Sequence, residues 1–230
     1  ASKMRAEVQQ RLRSSALQRQ ERRAEEAARR AKARAEAAAK IQERLPGGPG
    51  ADLSGQSFKG ARLSFAVWAS ANLTEATLDG SNLDKADLRA ATLTRASLVG
   101  ARLRDADLRE ATAHSANFEG ARMRAALLTN AIATNASFVD ADLRHVDLRE
   151  ANLTDADLSG ADLRGAKLRG VVLKNANLTG ARLPDVDLID AVLDGAILNQ
   201  ADIAGVRWTG TTVDGADLTG SLGLATRERD

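Results

Sequence analysis

The chain has 230 residues, two His, no Cys and no Tyr, and its 33 basic and 31 acidic residues leave a formal charge of +2. The lack of Cys excludes disulfides and thiolate metal sites, and the sequence holds no run of 18 apolar residues that could cross a bilayer as a helix. The first 30 residues lack the apolar core of a signal peptide, so a cytoplasmic protein is expected.

The charge is unevenly spread. Residues 1–45 hold 13 basic and 6 acidic residues, a net of +7, whereas residues 51–220 hold 18 and 23, a net of −5. Two regions of opposite bias are therefore read separately.

Residues 1–45 are rich in Ala, Arg, Gln, Glu and Lys and contain neither Gly nor Pro, which predicts one long α-helix. Glu7 and Arg11, Glu25 and Arg29, Glu26 and Arg30, and Glu36 and Lys40 stand four apart in the favourable order. Ala24, Ala28, Ala31, Ala35 and Ala38 follow alternating four- and three-residue spacing, continued by Leu45, which suggests a weak coiled-coil seam. Three uses are open to this helix: covering the next domain, pairing with itself or a partner, or attaching to nucleic acid or an anionic membrane surface. The six Glu weaken the last.

Pro46-Gly47-Gly48-Pro49-Gly50 stops the helix, because proline lacks the amide hydrogen and its ring clashes with the preceding turn. Residues 46–50 form a linker.

From 51 to 220 a five-residue unit repeats 34 times in one register, as in ADLSG, ANLTE, ADLRG and ANLTG. The third place is Leu in 24 units and the first is Ala in 27. A period of five fits neither a helix nor an ordinary strand. It describes a very short strand followed by a corner, and Gly at the fifth place of 14 units, with Asn or Asp in others, suits a positive backbone angle there. One unit cannot bury its own Leu, so units must stack as a solenoid.

These units resemble the pentapeptide-repeat family, written A(D/N)LXX. The resemblance implies an all-β solenoid, a right-handed quadrilateral β-helix with four units per coil and the Leu and Ala places inward. Carried onto this chain it gives about eight and a half coils, beginning at 51, 71, 91 and so on to a half coil at 211–220, and at about 4.8 Å per layer a rod of roughly 41 Å. Residues 221–230 form a tail in which Leu222 and Leu224 are expected to cover the last coil.

With 20 residues per coil, columns can be read along each side. Ala113 and Ala133 interrupt the inward column headed by Leu53, and Phe118 and Phe138 return the lost volume in the same coils. Trp68 and Trp208 are expected to seal the two ends. Phe65 and Val67 take outward places in the first coil, where the end of the helix is expected to dock.

On the third side Arg104, Arg124, Arg144 and Arg164 stack, and on the fourth Arg89, Arg109, Arg149 and Arg169 run beside Asp87, Asp107, Asp147 and Asp187. Acidic beside basic columns make a compensating lattice, either a solvated surface or one used to bind a protein or nucleic acid. Sides one and two are mostly neutral, with a Thr ladder interrupted by His114. Outward aliphatics Val172, Val192 and Ile197, with Ile189 across the corner and Leu127 and Ile132 lower down, form a candidate partner or dimer surface.

No catalytic site, cofactor or metal site is expected. His114 and His145 fall on different sides, and a packed rod offers no pocket where nucleophile, base and oxyanion donors converge. The leading reading is a non-catalytic interaction rod without a small-molecule substrate, associated or tethered through its N-terminal helix to a protein partner or to other copies of itself. The family resemblance adds an alternative, a DNA-mimicking binder of a type II DNA topoisomerase, and the basic helix adds attachment to nucleic acid or an anionic surface.

Overall fold

The computed structural model describes Glu25, Glu26, Arg29, Lys32 and residues 47–223. The chain divides into two compact units, Ala1–Arg44 and Leu45–Asp230. In the first unit the four described residues are helical and exposed. The rest of the predicted helix, its alanine seam and the tail beyond Gly223 lie outside the described residues. Among the described residues no helix is long and apolar enough to cross a membrane.

In the second unit parallel bridges join second-place residues 20 apart, from Asp52↔Asn72 through to Asp202↔Leu222. Four five-residue sides therefore close one coil. The hydrogen bonds follow a fixed rota. The third-place amide donates forward to the next coil, as Leu53 does to the Asn72 carbonyl at 2.8 Å, and the fifth-place amide does the same, Gly55 to Thr74 at 2.8 Å. The second-place amide donates backward, Asn72 to Ala51 at 2.9 Å, and the first-place amide closes the corner, Ala76 to the Leu73 carbonyl at 3.0 Å.

The fourth-place amide is the one left over, and its needs explain the second letter of the repeat. A buried or half-buried N–H without an acceptor is costly. Asp or Asn at the second place supplies the acceptor from two residues away: Asn72 Oδ1 takes the Thr74 amide at 3.1 Å, Asn152 takes Thr154 at 3.0 Å, and Asp157 takes Ser159 at 2.9 Å. Where Ser97 holds the second place, Asp79 of the preceding coil accepts the Val99 amide instead, at 3.2 Å.

Every fifth-place residue from Gly55 to Gly220 has a positive φ, close to 60° throughout. The sequence points to Gly, Asn and Asp there, yet Phe65, Ala90, Arg95 and Ala125 adopt the same angle. Each such residue costs about 1–2 kcal/mol of backbone strain. The ladder imposes it, because any other corner angle would break the bonds to both neighbouring coils.

The Leu and Ala places form one continuous core. Leu63, Leu73, Leu103 and Leu153 are each no more than 1% exposed. Phe118 and Phe138 stack at 4.9 Å between ring centroids, 3° from parallel, in the coils that carry Ala113 and Ala133. At the first coil Trp68 is fully buried, tilted against Phe58 with centroids 5.3 Å apart.

The two ends differ. Trp208 is only half-buried and Val213 is 41% exposed. Together with Thr211 and Leu218 they line an apolar hollow of about 290 Å³. Leu222, expected to cover this end, is 62% exposed. It bridges Asp202 and so occupies a second place, whose side chain points away from the core.

Candidate interaction surface

Second- and fourth-place side chains flank each inward Leu and leave the same side of the rod, so a charged pair at those places meets without help from another coil. In five units the pair is Asp and Arg. Arg89 grips Asp87 with Nε–Oδ1 at 2.8 Å and Nη2–Oδ2 at 2.7 Å, and the fork recurs at Asp107–Arg109, Asp142–Arg144, Asp147–Arg149 and Asp162–Arg164. The same carboxylates also accept the fourth-place amide, for example Arg164 N–H to Asp162 at 3.3 Å.

The bidentate part of the compensation thus arises inside single units. Bonds between coils supplement it: Arg89 reaches Asp107 at 3.8 Å, Lys167 reaches Asp147 at 3.6 Å, and Arg207 reaches Asp187 at 2.7 Å. Arg169 has no Asp in its own unit and turns to Asp190 across the next coil, at 3.2 Å. The hydrogen bond from its own arginine holds the carboxyl of Asp87, Asp142, Asp147 and Asp162 below the ordinary carboxylate range, against the opposing effect of partial burial. Asp147, whose side chain is 7% exposed, is the most enclosed of them.

Column by column, the charged positions divide. Arg144, Arg164, Arg89, Arg109 and Arg149 are forked to their own Asp, while the guanidinium groups of Arg104 and Arg124 have no carboxylate within 4.0 Å among the described residues. The adjacent columns predict the compensation but not its fork within one unit, for which the tripeptide Asp-Leu-Arg is the signal.

The apolar positions are scattered along the rod. Ile132 is 45% and Ile197 39% exposed, and Leu127, Val172, Ile189 and Val192 are half-buried. Val172 and Val192 are bridge partners, but Asn152 lies between Ile132 and Val172. Leu127 sits in the charged column between Asp107 and Asp147 and helps line a hollow of about 340 Å³ with Arg109 and Arg149, both already forked. Phe65 is 40% exposed and lies under the Lys85 ammonium, 5.7 Å from the ring centre. Val67 is half-buried. The helix residues expected to dock on them lie outside the described residues.

His114 Nδ1 lies 2.7 Å from Thr134 Oγ1, within the Thr ladder, and the ring of His145 lies over Gly165. Among the described residues no three acidic or His side chains come together as a metal site.

No curated protein sequence matches the chain. Among solved structures, HetL, a pentapeptide repeat protein involved in heterocyst differentiation regulation from the cyanobacterium Nostoc sp. strain PCC 7120, is 33% identical over 74% of this chain and 86% of its own, with a TM-score of 0.41. Rfr23 from the cyanobacterium Cyanothece 51142 is 36% identical over 41% of this chain and 62% of its own, with a TM-score of 0.32. QnrB1, a plasmid-mediated fluoroquinolone resistance protein, is 16% identical over 73% of this chain and 88% of its own, with a TM-score of 0.41. The model for pentapeptide repeats matches in eight overlapping copies, the first at residues 71–109 and the last at 185–220. With that match covering well over half of the sequence, the chain belongs to the pentapeptide-repeat family, whose fold is a right-handed β-helix solenoid.

Proposed function

We propose that this protein is a non-catalytic interaction rod that binds another protein along its sides. The observation that supports this reading is the outward aliphatic set headed by Ile132 and Ile197, 45% and 39% exposed at second places, where Asp or Asn would serve the fourth-place amide. Outward aliphatics gain nothing from the core beneath them, and where they adjoin across layers, as Val172 and Val192 do, they offer a partner contiguous apolar area. The segment 1–45, with its net charge of +7, serves as the tether or association element.

The test replaces Ile132 and Ile197 by Glu in the full chain. The double variant keeps the parent's thermal unfolding and loses the partner, or the self-association, that the parent displays in pull-down and sedimentation. Equal capture and equal sedimentation across concentration count against the reading.

A second reading, imitation of DNA before a type II topoisomerase, draws on residues 181–220, which hold seven Asp against two Arg. The five Asp–Arg forks argue against it over the middle of the rod, because each places a cation beside a carboxylate that mimicry would need bare. A DNA-supercoiling assay with and without the protein separates the two.

A further inference from the structure

On the third side of the coil, consecutive layers read Arg102-Leu103-Arg104 and Arg122-Met123-Arg124. Arg102 and Arg122 are bridge partners, and Leu103 and Met123 are fully buried. Strand alternation then sends all four arginine stems out of one face as a two-by-two array, with rows about 4.8 Å apart. Further along the same side, Arg144 and Arg164 each have an Asp at the second place of their own unit and are forked to it. In the array that Asp is replaced by Arg in both units.

The nearest carboxylate is already spent. Asp84 Oδ2 accepts from Arg102 at 2.7 Å, and its Oδ1 accepts the backbone amide of Arg104 at 3.1 Å. Arg104, Arg122 and Arg124 are exposed, their guanidinium groups have no carboxylate within 4.0 Å among the described residues, and Arg102 Nε is buried without an acceptor. Asp142, in the next layer, is occupied by Arg144. Stacked like charges repel, and here the repeat forgoes the residue that relieves this elsewhere.

We propose that this array binds an acidic, extended segment of a partner protein, with carboxylates on alternate residues seated in the guanidinium forks. The inference rests on the reading of the rod as a protein binder and uses a surface separate from its aliphatic one. The forks at Asp142–Arg144 and Asp162–Arg164 display the geometry that each incoming carboxylate would adopt. An extended strand repeats the same side about every 6.8 Å, a spacing that flexible arginines on 4.8 Å rows can follow. A nucleic acid fits less well. The array has no aromatic residue on which a base could stack.

The experiment uses the full chain and a fluorescent ten-residue peptide of alternating Asp and Ser, read by anisotropy at low salt, beside a labelled DNA duplex and with inorganic phosphate as competitor. The parent binds the peptide, added salt weakens binding, and Arg122→Glu with Arg124→Glu lowers affinity about tenfold or more, since two charge-assisted contacts become repulsive. Arg144→Gln, which removes an arginine already engaged, changes it less than about twofold. Circular dichroism melting checks that both variants fold. Peptide binding that is absent, or equal in the double variant and parent, overturns the proposal. So does duplex DNA that binds more tightly than peptide and is lost in the same variant, or phosphate that displaces the peptide at equal concentration. Ile132→Glu with Ile197→Glu leaves peptide binding intact, so failure of the aliphatic surface and failure of the arginine array are read separately.

Discussion

Phe118 and Phe138 lie ring on ring at 4.9 Å, and each occupies the coil in which a Leu of the adjoining inward column has shrunk to Ala, at 113 and 133. The core therefore conserves volume coil by coil while exchanging it between corners. Phe138→Leu opens a void and is expected to cost roughly 1–2 kcal/mol, and Ala133→Leu added to it recovers much of the loss, whereas Ala133→Leu alone overpacks. Denaturant midpoints of the parent, the two singles and the double test this. A double variant no more stable than Phe138→Leu would mean that the two columns do not share their space.

Asn152 accepts the Thr154 amide at 3.0 Å and the Thr154 hydroxyl at 2.7 Å through one oxygen. Asn152→Ala removes the acceptor from an amide that the ladder does not use, with an expected cost of about 0.5–1.5 kcal/mol, while Asn152→Asp keeps the acceptor and stays near the parent. Hydrogen exchange reports it directly: the Thr154 amide exchanges faster in the Ala variant and at the parental rate in the Asp variant. An unchanged rate in both would remove the proposed reason for Asp and Asn at the second place.

Stability should fall in acid. Hydrogen bonds from their own arginines depress the folded carboxyls of Asp87, Asp142, Asp147 and Asp162. As pH falls the unfolded chain takes up protons first, so the stabilisation is complete above the unfolded Asp value of about 3.9 and is lost below it. Melting temperature is expected to be level from about pH 7 to 5 and to drop below about pH 4. The three more solvated pairs each contribute little. Asp147→Asn, at the enclosed site that also meets Lys167, flattens the acid limb more than Asp87→Asn. An equal effect at both positions would show that enclosure is unimportant.

Much of the solenoid was legible because its period is a property of the chain. Leu at every fifth place can be buried only by stacking, and the Ala113–Phe118 and Ala133–Phe138 exchanges mark 20 as the stacking distance in the sequence itself. The forks were harder to read. Stacking relates residues 20 apart, whereas Arg89 is held by Asp87, two residues away, since both side chains leave the strand on the same side of Leu88.

The sequence by itself determined the repeat, the inward residues and the division into a basic segment and a net acidic rod, because these follow from which side chains must avoid water and from a count of charges. Only the tertiary structure decided that Phe65, Ala90 and Arg95 take a left-handed corner, that Leu222 faces solvent, and that the guanidinium groups of Arg104, Arg122 and Arg124 remain without carboxylate partners among the described residues. Those outcomes depend on bonds and distances between coils, where the ladder outweighs the local preference of any one residue.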